Sequence, residues 1–342
     1  MRKLTTGLIA LALIGCGGPS AGREGIVRVG YFPNITHSQA IIGLARGDFA
    51  EALGPETTIE TTLFNAGPSV IEALYAGRLD IAYIGPNPAI TGFVRSGGEA
   101  LRIVAGATSG GAALVVRPDA GISTLEELDG HRIATPQLGN TQDVALRNCL
   151  TELGLSPLEE GGTVQIIPTA NPQILDLFRQ GEIDGAWVPE PWASRLVVEG
   201  GGVVLLDERA LWPEGDFVTA HIIVSTPFLM ERPEIVRRWL EAHVEITVWE
   251  NQYPEEAAAL LNGEIERLTG KALPEEVLTM ALSNMRSTWD PIASSLYESA
   301  RAAWQSGFLD DEPDLEGIYD LSILNGILEE KGLDTVEVPV GP

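Results

Sequence analysis

The chain reads as an α/β protein of two similar lobes, each a mainly parallel sheet flanked by helices, with two hinge crossings between them. Three observations lead there: an internal duplication at constant spacing, an alternation of strands and helices inside each copy, and a set of Gly-, Asn- and Pro-bearing loops at the strand ends.

The duplication shows in AGRLDIAYIGPNPA (76–89) and QGEIDGAWVPEPWA (180–193), where Gly77, Asp80, Ala82 and Tyr83 fall on Gly181, Asp184, Ala186 and Trp187 at an offset of 104. The same offset places Asn65-Ala66-Gly67-Pro68 on Thr169-Ala170-Asn171-Pro172, and Arg28-Val29-Gly30 on Arg132-Ile133-Ala134. Solenoid repeats have periods of about 20–50 residues, so a copy of this length is a lobe.

In chain order, Arg2 and Lys3 precede an apolar run from Leu4 to Ile14, closed by Leu13-Ile14-Gly15-Cys16. Such a run is about half the roughly 20 residues a bilayer span needs. The pattern over 1–15 resembles a bacterial lipoprotein signal, which implies that Cys16 is the lipidated first residue of the mature chain; a plain secretory peptide is the alternative. Residues 16–26 then form a short tether.

The first lobe spells VRVGY as strand, SQAIIGLARGDFAEAL as helix stopping before Gly54, TIETTLF as strand, PSVIEALYAG as helix stopping at Gly77, and DIAYIG as strand. The second repeats it with HRIATP, TQDVALRNCLTELG, TVQIIP, PQILDLFRQG and DGAWVP. Apolar spacings of three and four mark the helices, and short Val/Ile-rich runs mark the strands. RIVAGATSGGAALVVRP (102–118) is one expected crossing and DFVTAHIIVS (216–225) the other, after which helices from Pro227 return to the first lobe. WPEGDF reads as plain connection, and Trp239 and Trp249 as helix core. The expected division is therefore 27–108 with 221–342 as lobe 1, and 109–220 as lobe 2.

Composition narrows the function. A net charge of -26 argues against nucleic acid or an anionic membrane surface as partner, because both repel it through space. Of two cysteines only Cys149 lies in the body, so no disulfide forms there, and its setting in VALRNCLTELG is that of a buried, inert thiol. No GxSxG, HExxH, GxGxxG or Walker-type motif occurs, and four histidines with two cysteines show no metal-ligand spacing. Neither enzyme chemistry, cofactor nor metal is expected; the rival enzymatic reading would act on a pyrimidine-like substrate and has only His37 with Glu190 as a base–nucleophile candidate.

Parallel sheets bind ligands beyond the carboxyl ends of their strands. There lie YFPNITH (31–37), NAGPS (65–69), GPNP (85–88), ATSGG (107–111), QLGNT (137–141), TANP (169–172) and PEPW (189–192). Four lead straight into helices, whose first turns leave about four unpaired N–H groups and roughly half a positive charge, an anion site without cations. In QLGNTQD, Gly139 permits close backbone approach, and Asn140 is either a donor to ligand or a cap paired with Asp143. YFPNITH offers Asn34, Thr36 and His37 at the equivalent place.

His131 reads as surface, His243 as a helix-face residue without partners, and His221 as either structural or ligand-contacting. Tyr31, Tyr83, Trp187, Trp192 and Trp289 are candidates to wall an apolar slot, with the equivalent Tyr83 and Trp187 assigned to the core. Glu190 is the discordant residue: about 6 Å from an anion it costs about 3 kcal/mol at an effective dielectric near 20. It bonds the opposite lobe, binds a cationic ligand tail, or faces solvent.

GYFPNITHSQAIIGLARGDF, NAGPSVIEALYAGRLDIAYIGPNPAI, TPQLGNTQDVALR and IDGAWVPEPWASRL together resemble the substrate-binding proteins of ABC importers in the sulfonate, nitrate and taurine family, over residues 27–333. The resemblance implies the two-lobed periplasmic-binding-protein fold (type II). It also implies a monomer that hands an aliphatic sulfonate, taurine or nitrate to a membrane permease driven by a cytoplasmic ATPase, held at the membrane only by its lipid. By the same resemblance the ligand loops carry Asn34, Thr36, His37, Gly67, Pro68, Ser69, Pro86, Asn87, Ser109, Gly110, Gly111, Gly139, Asn140, Thr141 and Glu190. A cysteine-rich loop of the family's pyrimidine-precursor binders is absent. A sulfonate accepts hydrogen bonds and donates none, so N–H and hydroxyl donors satisfy it without Lys or Arg.

Overall fold

A computed structural model describes residues 25–338, and the leader, the tether before Gly25 and Cys16 lie outside the described residues. The elements run β1 (Ile26–Tyr31), α1 (Ser38–Arg46), α2 (Asp48–Leu53), β2 (Thr58–Leu63), α3 (Gly67–Tyr75), β3 (Ile81–Ile84), α4 (Pro86–Arg95), β4 (Leu101–Gly110) and β5 (Ala112–Val116). There follow β6 (Arg132–Thr135), α5 (Thr141–Glu152), β7 (Gln165–Pro168), α6 (Asn171–Gln180), β8 (Gly185–Pro189), α7 (Trp192–Val198), β9 (Val203–Asp207) and β10 (Val218–Ser225). The chain ends with α8 (Thr226–Glu231), α9 (Pro233–Gln252), α10 (Pro254–Thr269), α11 (Glu275–Ser283), β11 (Met285–Ser287), α12 (Ala293–Gln305) and α13 (Ser322–Lys331).

Two sheets result, in the orders β2-β1-β3-β10-β4-β11 and β7-β6-β8-β5-β9. In each, three parallel strands are followed by an antiparallel strand supplied from beyond the repeat, β10 in the first sheet and β5 in the second. Side chains alternate across the strands, so each sheet carries a core on both faces. In the second sheet Ala113 and Val115 join Ala134, Ala186 and Val188 on one face, while Leu114 and Val116 join Ile133 and Trp187 on the other.

The duplication recurs as a hydrogen-bonding device. The Arg28 N–H and Nε donate to Asp80 Oδ2 (2.8 and 3.1 Å), and its Nη1 donates to the Gly77 carbonyl (2.7 Å). The Arg132 N–H and Nε donate to Asp184 Oδ2 (2.9 and 3.2 Å), and its Nη2 to the Gly181 carbonyl (3.0 Å). Each arginine thereby staples the first strand of its lobe to the start of the third.

The first crossing is the Gly110–Gly111 pair, both at positive φ (75° and 77°), a conformation that favours glycine. The second differs from expectation. Residues 216–225 are not the crossing but mostly β10, bonded into the first sheet, and the chain passes between sheets through 208–217, two short 3-10 turns that include WPEGDF. The single helix expected over 38–53 is two, because Gly47 sits in the left-handed region (φ 82°) between α1 and α2. His243, expected on a helix face without partners, is fully buried and has two: Nε2 lies against the Gly106 carbonyl (3.0 Å) and Nδ1 against the Tyr83 hydroxyl (3.2 Å). Trp239 stacks on Phe49 in the core at 3.7 Å, whereas Trp249 is half-buried under the Arg46 guanidinium.

A candidate anion-binding cleft between the lobes

The strand-end loops of both lobes meet at one cavity of about 30 Å³. Its lining follows the repeat. Phe32 and Pro136, Thr36 and Asn140, His37 and Thr141, Gly67 and Asn171, and Gly85 and Pro189 all face it, each pair separated by 104 positions. The cleft is therefore the meeting place of two copies of one loop set, as the backbone of each copy dictates.

The donors are neutral. Asn34 opens the short 3-10 turn Ile35–His37, accepts the Thr36 N–H on Oδ1 (3.4 Å) and lines the cavity. The Phe32 N–H donates to His37 Nδ1 (3.4 Å), and burial drives the His37 pKa down to about 3. The ring is neutral at physiological pH, with Nδ1 occupied as acceptor, so the proton sits on Nε2 and makes it a donor. Across the cleft, Asn140 caps α5 by accepting the Asp143 N–H (2.9 Å), and Thr141 and Gln142, which line the cavity, begin the helix, where backbone N–H groups have no intrahelical partner. No Lys or Arg lies among the residues lining this cavity, and the helix starts at Gly67, Thr141 and Asn171 supply the positive end of their dipoles.

Of the residues named from sequence, Asn34, Thr36, His37, Gly67, Asn140 and Thr141 line the cavity. Asn140 takes the second of its two readings: it is a cap, and the Nδ2 that a ligand would need is spent on Gln142 (3.0 Å). Gly139 lies outside, its N–H taken by Asp143 Oδ2 (2.9 Å) and its α-carbon facing Phe308. Pro68 and Ser69 are half-buried in the first turn of α3 and do not face the cavity. Pro86 stands at the start of α4 away from it, and Asn87 donates to the Ser299 carbonyl of α12 (2.9 Å). Ser109 donates to Asp216 (3.0 Å), and the N–H groups of Gly110 and Gly111 go to the carbonyls of Phe217 and Asn284.

Glu190 takes the first of its three readings. Oε2 accepts the Ser194 N–H (3.0 Å), and Oε1 accepts the Ser194 hydroxyl (2.9 Å) and the Asn284 Nδ2 (2.8 Å) from the end of α11, which packs in the first lobe's core. It is 1% exposed and does not line the cavity; burial pushes its pKa up against the pull of those donors. His37 and Glu190 therefore form no base–nucleophile pair. Cys149 packs with Leu146, Leu150 and Trp187, and burial raises its pKa to about 11. Among the described residues no cluster of His, Cys, Asp and Glu is arranged to hold a metal ion.

Asn171 was not among the named residues. It is 6% exposed, stands opposite Gly67 in the repeat, and its Oδ1 makes no hydrogen bond. The signal was the offset itself, which assigns Asn171 wherever it assigns Gly67. Beyond the cavity, and sharing Phe32, Asn34, Asn65 and Asn171 with it, opens a larger pocket of about 350 Å³ walled by Phe64, Trp192 and Leu273, with Arg195 and Lys271 at its edge. Of the aromatic candidates only Trp192 lines it; Tyr83 and Trp187 are fully buried core, Tyr31 is buried in the first lobe, and Trp289 packs on that core.

Comparison with known proteins agrees with this architecture. The chain is 28% identical over 206 residues to the taurine-binding periplasmic protein of Escherichia coli (strain K12), covering 60% of this chain and 61% of that one, so it spans under two thirds of that relative. It is 27% identical over 343 residues to a protein of Bacillus subtilis (strain 168) named for binding aliphatic sulfonates, covering 96% of this chain and 98% of that one. The solved alkanesulfonate-binding protein SsuA of Xanthomonas axonopodis pv. citri, bound to MOPS, superposes with a TM-score of 0.72 over 86% of this chain and 98% of its own, at 19% identity. At that identity the likeness is one of fold, and it is the two-lobed α/β fold expected from the sequence. Residues 21–262, well over half of the chain, match the family model, and the protein belongs to the NMT1-like family.

Proposed function

We propose that this protein is the extracytoplasmic solute-binding component of an ABC importer, closing two lobes over a small oxyanion, foremost an aliphatic sulfonate, and delivering it to a permease. The observation that carries this is the twin lining: loops related by the 104-residue repeat converge on one cavity and offer it neutral donors. An anion needs donors, and neutral ones hold it without the deep well of a buried ion pair, so release to the permease stays easy. A cavity of about 30 Å³ has room for about two waters. A ligand reaches it by the lobes parting about Gly110–Gly111 and 208–217, with the lobe division near 108 and 220 kept as part of this proposal. Lipidation at Cys16 would tether a monomer to the membrane outside the cytoplasm.

Nitrate would satisfy the same donors and leave the adjoining 350 Å³ pocket unused, which favours an organic sulfonate. Calorimetry with methanesulfonate, taurine, nitrate and sulfate decides: heat with a sulfonate supports the reading, and silence with all four refutes it.

A further inference from the structure

We infer that the ligand is an organosulfonate whose far end carries a second anionic group, read across the cleft by Arg195 and Lys271; this rests on the anion-capture reading above. The oxyanion cavity and the 350 Å³ pocket share Phe32, Asn34, Asn65 and Asn171, so a molecule seated by its head in the first extends its body into the second. That volume lies in the range of small-molecule sites, which begins at about 300 Å³. Phe32, Phe64, Trp192 and Leu273 give it apolar walls suited to a carbon skeleton.

The polar end of the pocket is positive in a chain whose net charge is -26. Arg195 comes from α7 in the second lobe, and Lys271 from the turn after α10 in the first. No Asp or Glu is among the residues lining the pocket. One carboxylate behind it, Glu199, is shared by Arg195 (2.6 Å), Arg179 (3.1 Å) and Lys271 (3.7 Å), so three cations meet one anion and positive charge is left over. The Arg195 guanidinium lies over the Trp192 ring at 4.5 Å and spends Nε and Nη2 on Glu199 (2.6 and 3.5 Å), which leaves Nη1 to meet an anion in the pocket. Since each lobe contributes one cation, a second anion draws the lobes together as the first does. An ammonium tail meets two like charges and no carboxylate, so aminosulfonates such as taurine are disfavoured.

The test is calorimetry on the full chain with matched sets that differ only at the tail: benzenesulfonate, 4-sulfobenzoate and 4-(aminomethyl)benzenesulfonate, then the alkyl analogues propanesulfonate, 4-sulfobutanoate and homotaurine. In at least one set the carboxylate binds about tenfold or more tighter than the uncharged member, and the amine weaker than both. In Lys271→Gln, and again in Arg195→Gln, the ratio of carboxylate to uncharged affinity falls at least about fivefold. Lys271 is largely exposed, so its replacement leaves folding intact. Equal affinities across both sets, or a carboxylate preference unmoved by both substitutions, overturns the tail assignment. Absence of heat with every sulfonate overturns anion capture itself, and the tail assignment with it.

Discussion

Closure of the two lobes can be tested by one methyl group. A β-carbon built on Gly85, at the end of β3 in the first lobe, would lie 2.5 Å from Thr141 Oγ1, at the start of α5 in the second. That is far inside the roughly 3.5 Å of an ordinary contact. The backbone of Gly85 (φ -72°, ψ 162°) accepts alanine without strain, so the clash is entirely between lobes and vanishes when they part. Gly85→Ala should leave the melting temperature of the unliganded protein nearly unchanged. Overpacking of this kind costs about 1–3 kcal/mol, here charged to the closed state alone, so sulfonate affinity falls about 5- to 150-fold. Thr141→Ala removes the offending oxygen and leaves its own β-carbon at 3.6 Å from the new methyl, an ordinary contact. Thr141→Ala also weakens binding, by the about 1.5–3 kcal/mol of a hydrogen bond to a charged group. The double variant should bind no worse than Thr141→Ala, giving a coupling energy equal to the whole Gly85→Ala effect. Calorimetry of the four proteins with one sulfonate measures it. Additive losses, or wild-type affinity in Gly85→Ala, would show that these loops do not meet around the ligand.

Three further outcomes follow from the same geometry. Asn171→Ala removes a buried amide whose Oδ1 lacks a partner, so thermal stability holds or rises while sulfonate affinity drops about tenfold or more; affinity unchanged in calorimetry would take Asn171 out of the site. Glu190→Gln disturbs bonds to Ser194 and Asn284 and none to the cavity, so it should weaken ethanesulfonate and taurine by the same factor, whereas a loss confined to taurine would place the carboxylate on the ligand. Glu250, buried with Oε2 accepting from the Ser38 and Ser287 hydroxyls, has its pKa pushed up by burial to about 7 from an ordinary 4.5. The folded chain therefore holds this proton where the unfolded chain has lost it, and the stability it lends is full below pH 4.5 and lost as pH rises through about 7. That loss is on the order of 3 kcal/mol, and Glu250→Gln abolishes it. The melting temperature of the variant relative to wild type should thus climb by several degrees between pH 5 and pH 8, and a constant difference would refute the assignment.

Much of the fold was legible because both sheets obey one pattern stated twice. Val/Ile runs and helix stops at Gly77 and Gly181 are local signals, and each sits in the structure where its repeat partner predicts; the offset also aligned Arg28 with Arg132 and Asp80 with Asp184, though not their pairing across 52 positions. What escaped was non-local. Residues 216–225 carry the same Val/Ile signal whether they cross between sheets or belong to one, and only the bonds from β10 to β3 and β4 decide. His243 sits on a helix whose burial depends on Tyr83 and Gly106, 160 and 137 positions away, so its partners could not be read from its neighbours.

The site shows the same division with a sharper lesson. Glycines and asparagines at strand ends marked most of the loops that meet at the cavity, with 107–111 the exception, but a loop does not state which of its groups are already spent. Gly139, Asn87 and Ser109 carry the donors the chemistry wants, and each is bonded inside the protein to Asp143, Ser299 or Asp216. Glu190 was discordant for an anion site only so long as it was placed in it; three protein donors satisfy its charge behind the cleft wall. Conversely, Asn171 carries no motif beyond a common helix start, and what singles it out is a relation: it repeats Gly67, and it alone of the pair has an amide. The two copies are thus alike in backbone and unlike in side chains, with Phe32 and His37 facing Pro136 and Thr141 across the cavity. A symmetric scaffold builds the cavity, and the departures from symmetry give it a direction, with Phe32 and His37 found on one side only. Restoring the symmetry should therefore cost selectivity before it costs stability, because the staples that fix each lobe, Arg28 to Asp80 and Arg132 to Asp184, lie outside the cleft.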